Sequence, residues 1–303
     1  MENVSLPKCP LCAGDQIIVI GKPQISPSTA EFVSEDYRVV KCMRCHFYFV
    51  FPRISFSQQK WDKLYADKYF GEMPRWWARK REEHRNQRLN WLQECTHGQI
   101  DRFLDIGCGE GYVLIDALKR GWNAYGIDIC DNRIDSARNR SIKFIKGNIF
   151  ESSFPSEIFD CIYLDSVLEH TLDPIGYLGE IRRILKKGGV LYVGVPNEEC
   201  LFNDVKRLLF VLSGKWDLSA RIQPFKPPYH VVGFTKDSLV QSFHKNGFEI
   251  MKFRNFAGQD EWMKFKPFTR PFMIHVFLLP VHFMAIPLRK RIYLDAIVRK
   301  SDR

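Results

Sequence analysis

From residue 102 onward, short apolar runs alternate with amphipathic segments. The apolar runs fall at 102–106, 124–127, 142–145, 161–164 and 190–195, and helical periodicity fills 112–120, 132–139 and 175–185 between them. Strand–helix alternation of this kind predicts βαβ units and a parallel sheet in an α/β core. A helix at 236–245, a strand at 248–253 and a last apolar run at 292–298 extend the series.

The first part of the chain reads differently. Residues 1–56 are punctuated by Pro, Gly and Ser and carry short β-like runs at 16–20, 37–41 and 47–51. Ser57 is placed to cap a helix reaching 69, and Pro74 to open a longer one to about 96. The expected organisation is a small module at 1–56, a helical linker or lid at 57–97 and a larger domain at 98–303, with substrate-side insertions at 198–228 and 258–291. There is no internal repeat and no low-complexity tract.

The chemistry concentrates at strand ends. The first core strand runs into Asp105-Ile106-Gly107-Cys108-Gly109-Glu110-Gly111, a turn opening a helix, which is where an α/β sheet holds its ligand. A pyrophosphate fingerprint would need glycine where Tyr112 stands, so the turn departs from the dinucleotide pattern. The second strand ends in Asp128, about 20 residues further on, where an acid suits ribose hydroxyls. Gly147-Asn148-Ile149 follows the third strand, and Asn148 is placed for an adenine. Asp165-Ser166-Val167-Leu168-Glu169-His170 follows the fourth, and Leu185-Lys186-Lys187-Gly188-Gly189 precedes a strand closing at Val195-Pro196-Asn197.

This ordered series resembles the class I S-adenosylmethionine (SAM) dependent methyltransferases, in the branch with a vLEH, LkxGG and vPN signature. The match spans roughly 100–200. The resemblance implies a doubly wound, mostly parallel, seven-stranded Rossmann-like sheet. It also implies Asp105, Gly107, Gly109 and Gly111 around the methionine part of SAM, Asp128 on the ribose, Asn148 and Ile149 at the adenine, and Asp165 in the same crevice. Many relatives carry Asp where Asn148 stands; an amide also pairs with adenine.

Cys9-Pro10-Leu11-Cys12 and Cys42-Met43-Arg44-Cys45 form two C-x-x-C knuckles. Four thiolates so arranged can surround a structural zinc tetrahedrally, and small modules often use metal to fold. His46 adjoins the set. A redox motif would instead be a single C-x-x-C beside a βαβ unit. A zinc ribbon before such a core resembles the one in sugar C-methyltransferases. The other five cysteines read as small buried side chains.

An oxygen or carbon acceptor must lose a proton during methyl transfer, and neutral histidine is the natural base. His170 after the fourth strand and His230 at the end of the 198–228 insertion are the candidates. Tyr65, Tyr69, Trp76 and Trp77 are candidate lid aromatics. A DNA amino-methylating loop would be Asn/Asp-Pro-Pro-aromatic where Leu164-Asp165-Ser166-Val167 stands, and no Pro-Cys nucleophile occurs where cytosine C5 enzymes need it. The expected acceptor is a small molecule: a sugar, glycolipid or quinone-like precursor.

Two alternatives remain open: an RNA methyltransferase, and a non-catalytic SAM-binding protein. The net charge of +10 would serve an RNA partner, as would Arg75, Arg79, Lys80, Arg81, Arg85 and Arg88. Interleaved Glu82 and Glu83 make a solvated helix face the simpler reading of that run. The apolar segment 272–287 is short for a membrane span and has basic flanks. It fits either a buried helix over the substrate pocket or a peripheral membrane contact in the interface plane. With no apolar signal-like stretch in residues 1–10, a cytoplasmic location is expected.

Overall fold

The computed structural model describes residues 7–33, 36–57, 59–60, 75–256 and 265–301. Its large sheet contains β4 (Arg102–Ile106), β5 (Asn123–Asp128), β6 (Lys143–Lys146), β7 (Phe159–Asp165), β8 (Leu185–Pro196), β10 (Phe248–Phe256) and β11 (Tyr293–Lys300). The spatial order is β10-β11-β8-β7-β4-β5-β6. β11 runs antiparallel to both neighbours, while β6-β5-β4-β7-β8 pair in parallel. The chain lays β4, β5 and β6 outward and then crosses back to place β7 on the other side of β4. That reversal opens a crevice at the carboxyl ends of β4 and β7, the ligand position of doubly wound sheets.

Helix α2 (Tyr112–Lys119) follows β4, α3 (Asp135–Arg138) follows β5, α4 (Pro174–Ile184) lies between β7 and β8, and α6 (Lys236–Lys245) precedes β10. Local chemistry sets their ends. Pro174 supplies the first turn of α4, and the Asp173 carboxylate accepts the Gly176 N–H at 2.9 Å. Thr235 and Ser238 form a reciprocal capping box on α6. α3 is shorter than the predicted 132–139 helix.

The N-terminal segment supplies β1 (Ile17–Gly21), β2 (Arg38–Cys42) and β3 (Tyr48–Phe51), an antiparallel sheet. Its fourth strand, β9 (Val232–Gly233), comes from the far side of the sequence, with Phe49 opposite Val232 and Tyr48 opposite Gly233. Phe47 and Phe234 meet edge to face at 5.2 Å. One apolar core runs from Leu11, Val40 and Phe47 to Leu104, Leu164 and Val193. The module is thus built onto the larger sheet and not beside it.

Helix α1 (Arg75–Cys95) packs on the same sheet, burying Leu89 and Leu92. The Arg run within it is not one solvated face. Arg79 is exposed, but Arg85 donates to Asp116 at 3.2 Å, and Arg88 turns inward between Asp165 of β7 (2.7 Å) and Asp295 of β11 (3.3 Å). Arg88 also lies over the Tyr192 and Phe256 rings. The helix expected at 57–69 falls largely outside the described residues, as do Tyr65, Tyr69 and the side chains of Trp76 and Trp77.

The 198–228 insertion contains a helix the periodicity did not single out, α5 (Leu201–Leu212). The 272–287 segment is two helices, α7 (Arg270–Phe277) and α8 (Leu279–Met284), broken near Pro280, whose missing N–H and ring clash interrupt a helix. A buried covering helix is not what forms: between 270 and 292 His282 and Ala285 alone are buried.

Asp295 is 1% exposed and accepts from Arg88, Arg254 and the Tyr192 hydroxyl. Removing it takes one of two carboxylates from the buried Arg88 guanidinium and the carboxylate partner from Arg254, so Asp295→Ala is expected to lower stability by about 3 kcal/mol. Arg79→Ala should change it by no more than about 0.5 kcal/mol. Urea unfolding of the two variants checks this; a wild-type midpoint for Asp295→Ala would remove the clamp from the account.

Candidate active site

The crevice is lined first by the turn after β4. Gly107, Gly109 and Gly111 adopt φ values of 70°, 49° and 81°, in the left-handed region that side-chain-bearing residues rarely enter. Space excludes a side chain as well: a Cβ on Gly107 would collide with Val167, and one on Gly111 would come within 2.8 Å of the Ala137 methyl. The turn is pinned to the neighbouring strand by the Gly107 N–H, which donates to the Ile127 carbonyl at 2.8 Å.

Three carboxylates surround this turn. Asp128, at the end of β5, accepts the Gly109 N–H at 2.8 Å and the Cys130 N–H at 3.2 Å. Burial raises its pKa, and those two donors hold the rise in check. Asp105 is 3% exposed; burial, then the charges of Asp165 and Asp128, push it well above the usual carboxylate range. Asp165, at the end of β7, is raised by burial and pulled back by Arg88. Negative groups that raise one another's pKa in a half-closed crevice favour a ligand bearing positive charge. A molecule with an ammonium and a sulfonium meets that requirement, and glycine backbone at the turn lets it approach closely.

Across the β5–β6 edge, Ile149 is fully buried, and Asn148 Oδ1 accepts the Phe150 N–H at 2.7 Å. The amide Nδ2 of Asn148 is a donor, which an Asp at this position would lack.

His170 and His230, distant in sequence, are adjacent in space. Their rings meet edge to face at 5.0 Å, and His230 Nε2 lies 3.8 Å from Glu169 Oε1. The 3₁₀ turn Leu168–His170 after β7 carries one, and the segment entering β9 carries the other; the Val231 N–H donates to the Glu169 carbonyl at 2.9 Å and joins them. The residues flanking this site, Ser166 and Tyr229, sit at φ 57° and 63°. Burial lowers the His170 pKa to about 4, while His170 bonds the Tyr229 backbone. His230 is lowered well below its ordinary value by burial and then by His170. Glu169 is 1% exposed, neither carboxylate oxygen has a hydrogen-bond partner among the described residues, and burial pushes its pKa well up. Burial thus disfavours the charged form of all three side chains, and a neutral imidazole accepts protons.

Two of these features were not legible as site chemistry. Glu169 appeared within a motif, without a role. Arg88 was read as one of a charge run, although Arg81, Arg85 and Arg88 share a helical stripe, the signal that marks them as inward-facing. In the structure Arg88 holds Asp165, 2.7 Å away, on the crevice wall.

At the N-terminal sheet the sulfurs of Cys9 and Cys45 are 3.5 Å apart and those of Cys12 and Cys42 are 3.6 Å apart; all four lie within 4.8 Å of one another. Tetrahedral zinc with Zn–S of about 2.3 Å spaces its sulfurs at about 3.8 Å, whereas a disulfide needs about 2.05 Å. The donor set fits one metal ion. His46 is outside it, with Nδ1 3.4 Å from Asp237. Of the remaining cysteines, Cys95, Cys108, Cys161 and Cys200 are buried, and Cys130 is half-buried.

A family profile described as a methyltransferase domain matches residues 63–252, more than half of the chain. The chain is 28% identical over 153 residues to a ubiquinone biosynthesis O-methyltransferase of Pseudomonas aeruginosa, covering 46% of this chain and 63% of that protein. It is 33% identical over 109 residues to an uncharacterized 37.1 kDa transposon protein of Streptomyces fradiae, covering 33% of this chain and 32% of that one. The chain thus spans about a third to two thirds of the length of these relatives. Among solved structures, a SAM dependent methyltransferase from Archaeoglobus fulgidus superposes with a TM-score of 0.52 at 18% identity, over 78% of this chain and 98% of that one, and so shares the fold. The chain belongs to the methyltransferase-domain family, and its core has the fold of a solved SAM dependent methyltransferase.

Proposed function

We propose that this enzyme methylates a hydroxyl oxygen of a small-molecule acceptor, with His230 taking the hydroxyl proton. The observation that carries the reading is the buried Glu169–His170–His230 cluster beside the donor crevice. The P. aeruginosa relative supports an oxygen acceptor by its name, and the absence of an Asn/Asp-Pro-Pro-aromatic loop after β7 argues against DNA amino groups. RNA loses its proposed docking stripe, because Arg85 and Arg88 are committed to Asp116, Asp165 and Asp295.

When bound, SAM supplies an electrophilic methyl on a good leaving group, so the protein's work is alignment and proton removal. Asp128 retains lone pairs beyond its two backbone donors and can accept ribose hydroxyls. Asn148 would donate through Nδ2 to an adenine ring nitrogen above Ile149. Asp105, Asp165 and the glycine turn would hold the charged amino-acid end, with Arg88 fixing Asp165.

On the acceptor side, low pKa values keep the imidazoles unprotonated. An imidazolium formed on His230 would lie 3.8 Å from Glu169 and favour its ionisation, so the two groups titrate as a pair. His170, tied to the Tyr229 backbone, packs against the His230 ring and orients it. The four cysteines would hold a structural zinc that fixes the sheet of β1, β2 and β3, of which β3 pairs with β9.

Three outcomes are expected. His230→Ala should lower kcat by about 10²–10⁴-fold while calorimetric SAM affinity stays unchanged, and Glu169→Gln should lower kcat more than it changes KM. Because burial lowers both histidine pKa values, that of His170 to about 4, the proton-accepting form persists below pH 6.5. The wild-type kcat/KM should therefore show no inflection near 6.5; one at that pH would remove the buried histidines as base.

Asp128→Ala should weaken SAM binding about ten- to a hundredfold, the scale of a charge-assisted hydrogen bond of about 1.5–3 kcal/mol. An unchanged dissociation constant by calorimetry would withdraw the ribose assignment. Elemental analysis should find one zinc per chain, and chelation should lower the melting temperature. A metal-free protein with an unaltered melt would defeat the ribbon.

A further inference from the structure

We infer that helices α5, α7 and α8 form a docking surface for an anionic lipid bilayer. The inference is independent of which acceptor is methylated. It starts from an inverted distribution of polarity. α5 reads Leu-Phe-Asn-Asp-Val-Lys-Arg-Leu-Leu-Phe-Val-Leu, yet none of its residues is buried; Leu208, Leu209 and Leu212 are 56%, 53% and 74% exposed, and Trp216 just beyond is 66% exposed. α7 likewise buries nothing, and in α8 the buried residue is the polar one, His282, while Phe283 and Met284 face outward. Phe277 is 83% exposed, and Ile286 and Leu288 continue the apolar surface.

These segments make one surface. The Leu201 N–H donates to the Lys290 carbonyl at 2.9 Å, and Lys290 Nζ reaches Asp204 at 2.9 Å. The Phe202 ring of α5 stacks on His275 of α7 at 5.7 Å and on His282 of α8 at 5.9 Å. The histidines are thus turned toward α5, and the leucine, methionine and phenylalanine side chains are turned out. Soluble monomers rarely expose contiguous apolar patches beyond a few hundred Å², and larger ones mark partners or membranes.

Charge decides the occupant. Residues 265–292 carry Lys266, Arg270, Arg289, Lys290 and Arg291 and no acidic residue. The α5 segment adds Lys206, Arg207 and Lys215 against Asp204 and Asp217. Asp204 is paired with Lys290 and Arg221, and Asp217 with Lys22, so the surface stays cationic. A second copy docked through the same face would bring these cations against their own equivalents, because a two-fold interface is self-complementary. A bilayer containing anionic lipid neutralises them while taking up the apolar side chains. No helix among the described residues is long and apolar enough to cross a membrane, so the helices lie in the interface plane.

The full chain should sediment with vesicles of phosphatidylcholine containing roughly one-third phosphatidylglycerol. Binding should fall at least tenfold on pure phosphatidylcholine vesicles and in the variant Leu208→Glu/Leu212→Glu/Phe277→Glu, with calorimetric SAM affinity of that variant unchanged as evidence of folding. Should the triple variant misfold, the wild-type protein still answers: vesicles with brominated acyl chains should quench tryptophan emission, and less so in Trp216→Phe. No sedimentation with the mixed vesicles, equal binding to both compositions, undiminished binding by a folded triple variant, or quenching that Trp216→Phe leaves intact would each overturn the assignment. So would a concentration-dependent dimer in gel filtration that the triple variant abolishes, which would make a second copy the occupant.

Discussion

A guanidinium buried among strands must be matched by carboxylates, and here that requirement ties the molecule together. Arg88 descends from α1 between Asp165 and Asp295, which lie on strands that run in opposite directions. Its stem is enclosed by Tyr192 and Phe256, and Tyr192 shares Asp295 with it. One side chain therefore fixes the helix over the sheet, secures the reversed strand β11 and sets the electrostatic level of the crevice wall. Without its positive charge Asp165 would keep only Arg81 and the Tyr163 hydroxyl against burial and the neighbouring carboxylates.

The same economy operates at the acceptor side. A 3₁₀ turn after β7 and a segment beyond α5 have no reason, locally, to place histidines together. They do so because β9 is claimed by β3 and because the Val231 N–H closes on the Glu169 carbonyl. The Glu169–His170–His230 cluster is a product of pairing between distant segments, and the burial of its imidazoles is a product of the same pairing.

Legibility followed the range of the interactions. The alternation of strands and helices from β4 to β8 is written in local periodicity, and the glycine turn, Asp128 and the two cysteine knuckles announce themselves by residue type and spacing. α6 and the strand after it were equally plain. β9 was not, since two residues in extended form carry no pattern until a partner strand exists. α5 hid because an apolar helix with no buried residue resembles neither a core helix nor a loop. For 272–287, composition suggested a buried helix, but Pro280 divides the run and the apolar side chains point outward. Arg88 was visible only as charge; its partner Asp295 lies at the other end of the chain, where no spacing rule reaches.

Strand β9 has one more consequence. Because the N-terminal sheet is completed by Val232 and Gly233, just beyond His230, the cysteine module is a template against which the His230 segment is registered. Exchanging it for the ribbon of another protein, or evolving it away, would leave Val232 and Gly233 without a pairing edge and the imidazoles without a fixed address. The module and the segment carrying His230 therefore hold one another in place, and a metal gripped by the four cysteines would act on that segment through β3 and β9.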